Sequence, residues 1–215
     1  MPREIDRFKK ALKEMREASK KRNFTQSIEL IINLADVDVR RPENRIQETI
    51  ELPHPINKTI GVFATGDLAL RARRCGVDLV LEREEIEGLL NDKKRQRKIA
   101  KAIDFFIAEA PLMPLIGRVF GSILGPRGKM PRPIPPTADI EREVENLRRM
   151  VFVRTRGQPV IQCKIGTEDM PDEQIAENAL AVLRRIESRL KRGIKNIKSV
   201  YLKTTMGKAV KVNLQ

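Results

Sequence analysis

Tryptophan is absent from this chain, tyrosine and histidine occur once each, and aromatics make up 4% of 215 residues. Any core must therefore be built from Ile, Leu, Val and Met, and 40% hydrophobic content is enough to build one. Cysteine is nearly as scarce. Cys75 and Cys163 lie far apart and neither has a CxxC partner, so they read as reduced, buried residues of a cytosolic protein. With His54 the single histidine, a zinc site lacks ligands, and no metal or other cofactor is expected. No apolar run reaches the roughly 18 residues a membrane span requires. The opening Met1-Pro-Arg-Glu-Ile-Asp6 is charged and has no apolar h-region, so no secretory signal is expected. The most telling deficit is of acid. None follows Glu187, whereas Arg189, Lys191, Arg192, Lys195, Lys198, Lys203, Lys208 and Lys211 do.

What is present is positive charge. The 43 basic residues outnumber 29 acidic ones, giving a net charge of +14 and a pI near 10.1. Such a balance favours nucleic acid or an anionic membrane as partner, and an excess this large in 24.6 kDa makes nucleic acid the better match.

Periodicity divides the chain into three stretches. Residues 3–21 carry Ile5, Phe8, Leu12 and Met15 at helical spacing. Ile28, Leu30, Ile32 and Leu34 then alternate as one buried face of a strand, and 46–52 alternates with mixed polarity, as a half-exposed strand does. Beyond Pro53-His-Pro55 the pattern changes. Strands are predicted at 59–64, 77–81 and 104–108, and helices at 67–74, 84–90, 92–102, 111–123 and 139–150. Alternation of this kind implies a parallel sheet covered on both faces, in a Rossmann-like layer sandwich. After residue 151 antiparallel character returns. Strands are predicted at 151–153 and 160–165 around a turn at Arg156-Gly157. A long helix opens at Pro171 and stops at Gly193, and two final strands cover 197–205 and 209–213.

The simplest architecture is an α+β split domain formed by both termini, with an inserted α/β Rossmann-like three-layer domain. The split falls at residues 1–57 plus 152–215 against 58–151. The terminal pieces then carry 25 basic and 16 acidic residues and the insert 18 and 13, so the terminal domain is the favoured polyanion face.

Several segments have two readings. Gly121 to Pro136 combines Gly125 and Gly128, which permit positive φ and open backbone amides, with Arg127, Lys129 and Arg132 and a run of prolines. It reads as a phosphate cradle or as a rigid basic connection. It is not a Walker A loop, since Met130 stands where Ser or Thr would hold magnesium. Lys93 to Lys98 is by default a solvated helix face, with a weak RNA contact or a second binding surface as the other readings. Phe24 stacks on a base or plugs a helix end. His54, between two prolines, reads as structural. No catalytic set is evident, and the chain is not expected to be an enzyme.

Three segments, in order, carry a family resemblance: Phe24-Thr-Gln-Ser27, Leu124-Gly-Pro-Arg-Gly-Lys-Met-Pro131, and Ser199 followed by Thr204-Thr-Met-Gly207. With these the whole chain resembles the ribosomal protein L-one family, the large-subunit stalk proteins, in their archaeal form. Two positions depart from the bacterial pattern: Lys208 stands where a proline is usual and Asn23 where a lysine is usual. The resemblance implies a split RNA-binding domain joined by two hinge strands to an insert. It implies binding to the rRNA of the mobile stalk, release of deacylated tRNA from the exit site, and repression of translation through the protein's own mRNA. A cytoplasmic, ribosome-associated protein is expected, monomeric when free.

By position the resemblance assigns RNA binding to Glu14, Phe24, Ser27, Ser199, Thr205, Met206 and Gly207, with Lys203 and Lys208 attracting phosphate. Hydroxyls at Ser199 and Thr205 would meet 2′-hydroxyls, Gly207 would admit the RNA backbone, and Met206 would give a deformable apolar contact. Gly125, Arg127, Gly128 and Lys129 form the signature loop of the insert. Two other readings stand beside this one: a nucleotide-binding enzyme on the inserted domain, and a general RNA chaperone.

Overall fold

The structure is a computed structural model and describes residues 2–155 and 157–213. Arg156, half of the expected turn, lies outside the described residues; Gly157 sits at φ 67°. The chain divides into two compact units, Met1–Asn57 with Arg149–Gln215, and Lys58–Arg148.

Ahead of Asn57 run α1 (Pro2–Ala18), β1 (Ser27–Leu34) and β2 (Gln47–Glu51). Next come β3 (Ile60–Phe63), α2 (Gly66–Arg74), β4 (Leu79–Leu81), α3 (Arg83–Gly88) and α4 (Lys93–Ala102). They are followed by β5 (Phe105–Glu109), α5 (Met113–Arg127), β6 (Arg132–Ile134) and α6 (Ile140–Arg149). The chain closes with β7 (Met150–Arg154), β8 (Val160–Thr167), α7 (Asp172–Arg189), β9 (Ile197–Thr204) and β10 (Val210–Val212).

In the first unit, an antiparallel sheet of order β10-β9-β1-β8 carries α1 and α7 on one face. Period two decides which face. Ile28, Leu30, Ile32, Val200 and Leu202 are buried and share a core with Phe8, Leu12 and Met15 of α1 and Ile175, Ala179, Val182 and Ile186 of α7. The alternate residues Ser27, Glu29, Ile31, Asn33, Ser199, Tyr201 and Lys203 are only half-buried on the other face. β2 pairs with β7 as a separate antiparallel ribbon in which Glu51 faces Met150, so the return to this unit begins at Arg149. The helix expected to run to Gly193 ends at Arg189, because Leu190 is extended at ψ 136°. Gly193, at φ 54°, opens a short 3-10 turn instead.

The second unit holds a parallel sheet of order β4-β3-β5-β6. β3 is buried along its whole length, as a strand covered on both faces requires. β6 has no counterpart in the sequence reading, because Arg132-Pro133-Ile134 reads as stiff linker. Proline is tolerated there since β6 is an edge strand.

Candidate RNA-binding face

The end of the sheet where β1 begins and β9 finishes is organised by one polar side chain. Gln26 is 1% exposed. Its Nε2 donates to the Lys20 carbonyl and to Glu168 Oε2, each at 3.3 Å. Its Oε1 accepts the Met206 amide at 3.2 Å. Its backbone is paired with Glu168 in both directions, N to Oε1 at 3.0 Å and O from the Glu168 amide at 3.0 Å. Gln26 thus ties the end of α1, the start of β1, the β8–α7 loop and the turn after β9. Arg16 clamps that same loop from α1, through Nε to Asp172 Oδ1 at 2.8 Å, Nη1 to the Glu168 carbonyl at 2.7 Å and Nη2 to the Met170 carbonyl at 2.9 Å.

The turn after β9 is pinned to β1 by Thr205. Its amide donates to the Ser27 carbonyl and its Oγ1 accepts the Ser27 amide, both at 3.0 Å. The hydroxyl expected to meet a ribose is therefore engaged by the protein, and its proton points at the Ser27 carbonyl at 3.3 Å. Beneath it, Thr204 is 2% exposed and its Oγ1 lies 3.0 Å from Ser19 Oγ. A Cβ added at Gly207 would collide with that Thr204 hydroxyl. Gly207 is needed for space inside the fold, and its φ is not in the left-handed region.

Two large apolar side chains stand out from this scaffold, Phe24 at 51% exposure and Met206 at 61%. Lys20, Lys21, Arg22 and Lys208 are exposed on the same segments. Lys203 is half-buried, with Nζ donating to the Thr205 carbonyl at 3.3 Å. Exposed apolar groups among cations suit a nucleic acid, whose bases offer π-faces and whose backbone offers phosphates.

The structure thus gathers Phe24, Ser27, Thr205, Met206 and Gly207 at one rim, with Lys203 and Lys208 beside it. Ser199 is not at this rim. It pairs with Asn33, whose Nδ2 donates to Ser199 Oγ at 2.9 Å, on the half-open sheet face. At about 3.3 Å per residue it lies roughly 20 Å from Thr205. Glu14 is exposed on α1, the helix that covers the opposite face. Four positioning residues were not foreseen: Gln26, Ser19, Thr204 and Glu168. Thr204 alone left a signal, as it continues the buried alternation of Val200 and Leu202.

The sequence profile of the Ribosomal protein L1p/L10e family matches residues 12–208. The chain belongs to that family. It is 52% identical over 204 residues to the large ribosomal subunit protein uL1 of Methanocaldococcus jannaschii, covering 94% of this chain and 93% of the relative. Against uL1 of Archaeoglobus fulgidus it is 48% identical over 209 residues, 96% and 97% of the two chains. Against uL1 of Pyrococcus abyssi it is 49% identical over 215 residues, 99% and 98%. Members of this family are structural proteins of the ribosome rather than enzymes.

In this family member the signature segment of the second unit is not an open loop. α5 continues through Gly125, Pro126 and Arg127, and only Gly128 leaves the helix, as a left-handed cap at φ 69°. Pro126 is tolerated in the last turn, where it removes a single amide. The amides expected to cradle phosphate are used, Gly128 N to the Gly125 carbonyl at 2.9 Å and Lys129 N to the Leu124 carbonyl at 3.0 Å. Lys129 turns inward. Its ammonium donates to the carbonyls of Ala100 and Ile103, and burial lowers its pKa from the ordinary 10.5.

At the carboxyl ends of β3 and β5, where an open α/β sheet binds nucleotides, the buried Glu109 carboxylate stands against Thr65. Glu109 Oε2 accepts the Thr65 amide at 2.9 Å and the Thr65 hydroxyl at 2.8 Å, ahead of α2. A phosphate there would meet a buried carboxylate. Among the described residues no group of His, Cys, Asp and Glu is arranged to hold a metal, and no helix is long and apolar enough to cross a membrane.

Proposed function

We propose that this chain is a large-subunit protein that binds the rRNA of the mobile stalk through the Gln26-organised rim. The observation that carries the reading is the pair Phe24 and Met206, both more than half exposed, with the Met206 amide bonded to the buried Gln26 side chain. An exposed methionine on a rigid turn, at the end of a segment with no acid after Glu187, is suited to RNA and poorly suited to a core. Residues 1–57 with 149–215 act as the RNA-binding domain, and 58–148 form the inserted α/β domain. The protein works in the cytoplasm on the ribosome. There it assists release of deacylated tRNA from the exit site, and it represses translation by binding a stalk-like element in its own mRNA.

The test is a selectivity ratio at one salt concentration. Affinity for a stalk rRNA fragment should exceed that for an unrelated duplex by on the order of 10³. Equal affinities would make the protein a general RNA chaperone. The nucleotide-enzyme reading requires micromolar binding of a nucleotide by calorimetry, and Glu109 at the crevice argues against it.

A further inference from the structure

α4 carries Lys93, Lys94, Arg95, Arg97, Lys98 and Lys101, six cations in ten residues without an acid. All six are exposed. Among the described residues none of their side chains has a hydrogen bond or ion pair within the protein. Elsewhere in the second unit, Arg71, Arg73, Arg83 and Arg132 each meet a carboxylate. Gln96 and Ala100 are buried on the inner side of α4. On the outer side Lys94, Arg97, Lys98 and Lys101 fall at i, i+3, i+4 and i+7, one stripe about 10 Å long.

This stripe opposes the stability of its own helix. Lys93 and Arg97, Lys94 and Lys98, and Arg97 and Lys101 are like-charged pairs one turn apart, which destabilise a helix. Lys93, Lys94 and Arg95 also crowd its positive end, where acids are preferred. An ordinary solvated face interleaves the two signs; this one concentrates a single sign and leaves it uncompensated.

We propose that α4 is a second RNA contact, which grips the sugar–phosphate backbone of an RNA helix by charge and without reading sequence. The inference rests on the reading that RNA is the partner of this chain, and it assigns the second unit a contact separate from the rim. An acidic polypeptide is the competing occupant. It would sit in the cavity of about 510 Å³ that Arg95 and Lys98 share with Leu79, Val80, Leu81, Leu89 and Ile99. Lys94, Arg97 and Lys101 do not line that cavity, which favours a partner lying along the exposed stripe.

The experiment uses the full chain with Lys94→Gln, Arg97→Gln, Lys98→Gln and Lys101→Gln combined. Glutamine is a good helix former at exposed positions, and circular dichroism checks the fold. Binding of a stalk rRNA fragment and of an unrelated RNA duplex is measured across a salt series. The slope of log affinity against log salt for the unrelated duplex should flatten by about 2–4 units, since each lost phosphate contact removes a little under one. The four arginine or lysine exchanges that keep charge should leave the slope as it was. An unchanged slope in the glutamine variant would overturn the proposal. So would displacement of the duplex by poly-glutamate of matched charge, at equal affinity and with equal sensitivity to the variant. Met206→Ala separates the two readings. It should weaken the stalk fragment and spare the unrelated duplex; if it spares both, the rim reading fails while the α4 slope still decides the present one.

Discussion

The Met206 amide donates to the side-chain oxygen of Gln26 across 3.2 Å, joining two residues 180 apart in the chain. Gln26 sits between the last turn of α1 and the first residue of β1, and Met206 in the turn that follows β9. The bond means that the exposed methionine is presented by a buried amide from the opposite end of the chain. Recognition at the rim therefore depends on the two ends folding together.

Gln26→Ala should remove that support. Three polar neighbours lose the partner that the buried Gln26 side chain gives them, and leaving such groups unsatisfied costs about 1–3 kcal/mol. Urea unfolding should show that loss, with weaker binding of a stalk rRNA fragment under conditions where the variant is still folded. Gln26→Glu gives a sharper outcome. It places a second carboxylate against Glu168, which now lies 3.3 Å from Nε2. Its stability should be poor at neutral pH and recover as the pH falls and one carboxylate takes up a proton.

Thr205 and Met206 should behave in opposite ways. Thr205→Val removes the acceptor of the Ser27 amide, a bond of 3.0 Å, and should destabilise by about 1–3 kcal/mol. Thr205→Ser should retain that stability. Met206→Ala changes a side chain that is 61% exposed and should move stability by less than about 0.5 kcal/mol. Its stalk RNA affinity should nevertheless fall about tenfold, or roughly 1.4 kcal/mol. Parallel unfolding and binding measurements on the three variants check this. If Thr205→Val is as stable as the parent, the hydroxyl is not the anchor described.

Much of the first unit is legible from its alternation. Ile28, Leu30, Ile32 and Leu34 announce β1 and the face it buries, because a period of two needs no information from elsewhere in the chain. The rim is less so. Phe24, Ser27 and Met206 come from a resemblance, and Gln26 stands inside the quoted segment without a local sign of its role. Its partners lie at 19–20, 168 and 206, and no local period encodes such distances. β6 is hidden for a different reason. Arg132-Pro133-Ile134 is an edge strand that tolerates proline, and proline is the usual mark of a break. The signature segment misleads in the opposite sense. Its glycines suggest a loop, yet Leu124 is fully buried and holds Gly125 to Arg127 in the last turn of α5.

Gly207→Ala tests packing at the rim. The new methyl group would strike Thr204 Oγ1, which cannot retreat because Thr204 is buried and bonded to Ser19. Overpacking of this kind costs about 1–3 kcal/mol. The double variant with Thr204→Ala should recover part of that loss by removing the obstructing hydroxyl. Additive losses in the double variant, measured by urea unfolding, would show that the two positions do not touch.

Lys9 and Glu173 give a prediction in pH. The Lys9 ammonium donates to Glu173 Oε1 at 2.7 Å, linking α1 to α7 on the surface. That hydrogen bond holds the Glu173 carboxyl below its ordinary 4.5 and raises Lys9 above its ordinary 10.5. A lowered carboxylate contributes stability above its unfolded pKa and loses it as pH falls through the folded one. A raised ammonium contributes below its unfolded pKa and loses it as pH rises through the folded one. The pair is therefore stabilising between these limits and nowhere else. Lys9→Met should melt slightly lower than the parent at neutral pH, and the difference should close in acid as Glu173 takes up its proton. In the same variant the Glu173 carboxyl, followed by NMR titration, should move up toward 4.5. A Glu173 titration that is unmoved by Lys9→Met would show that the pair does not persist in solution.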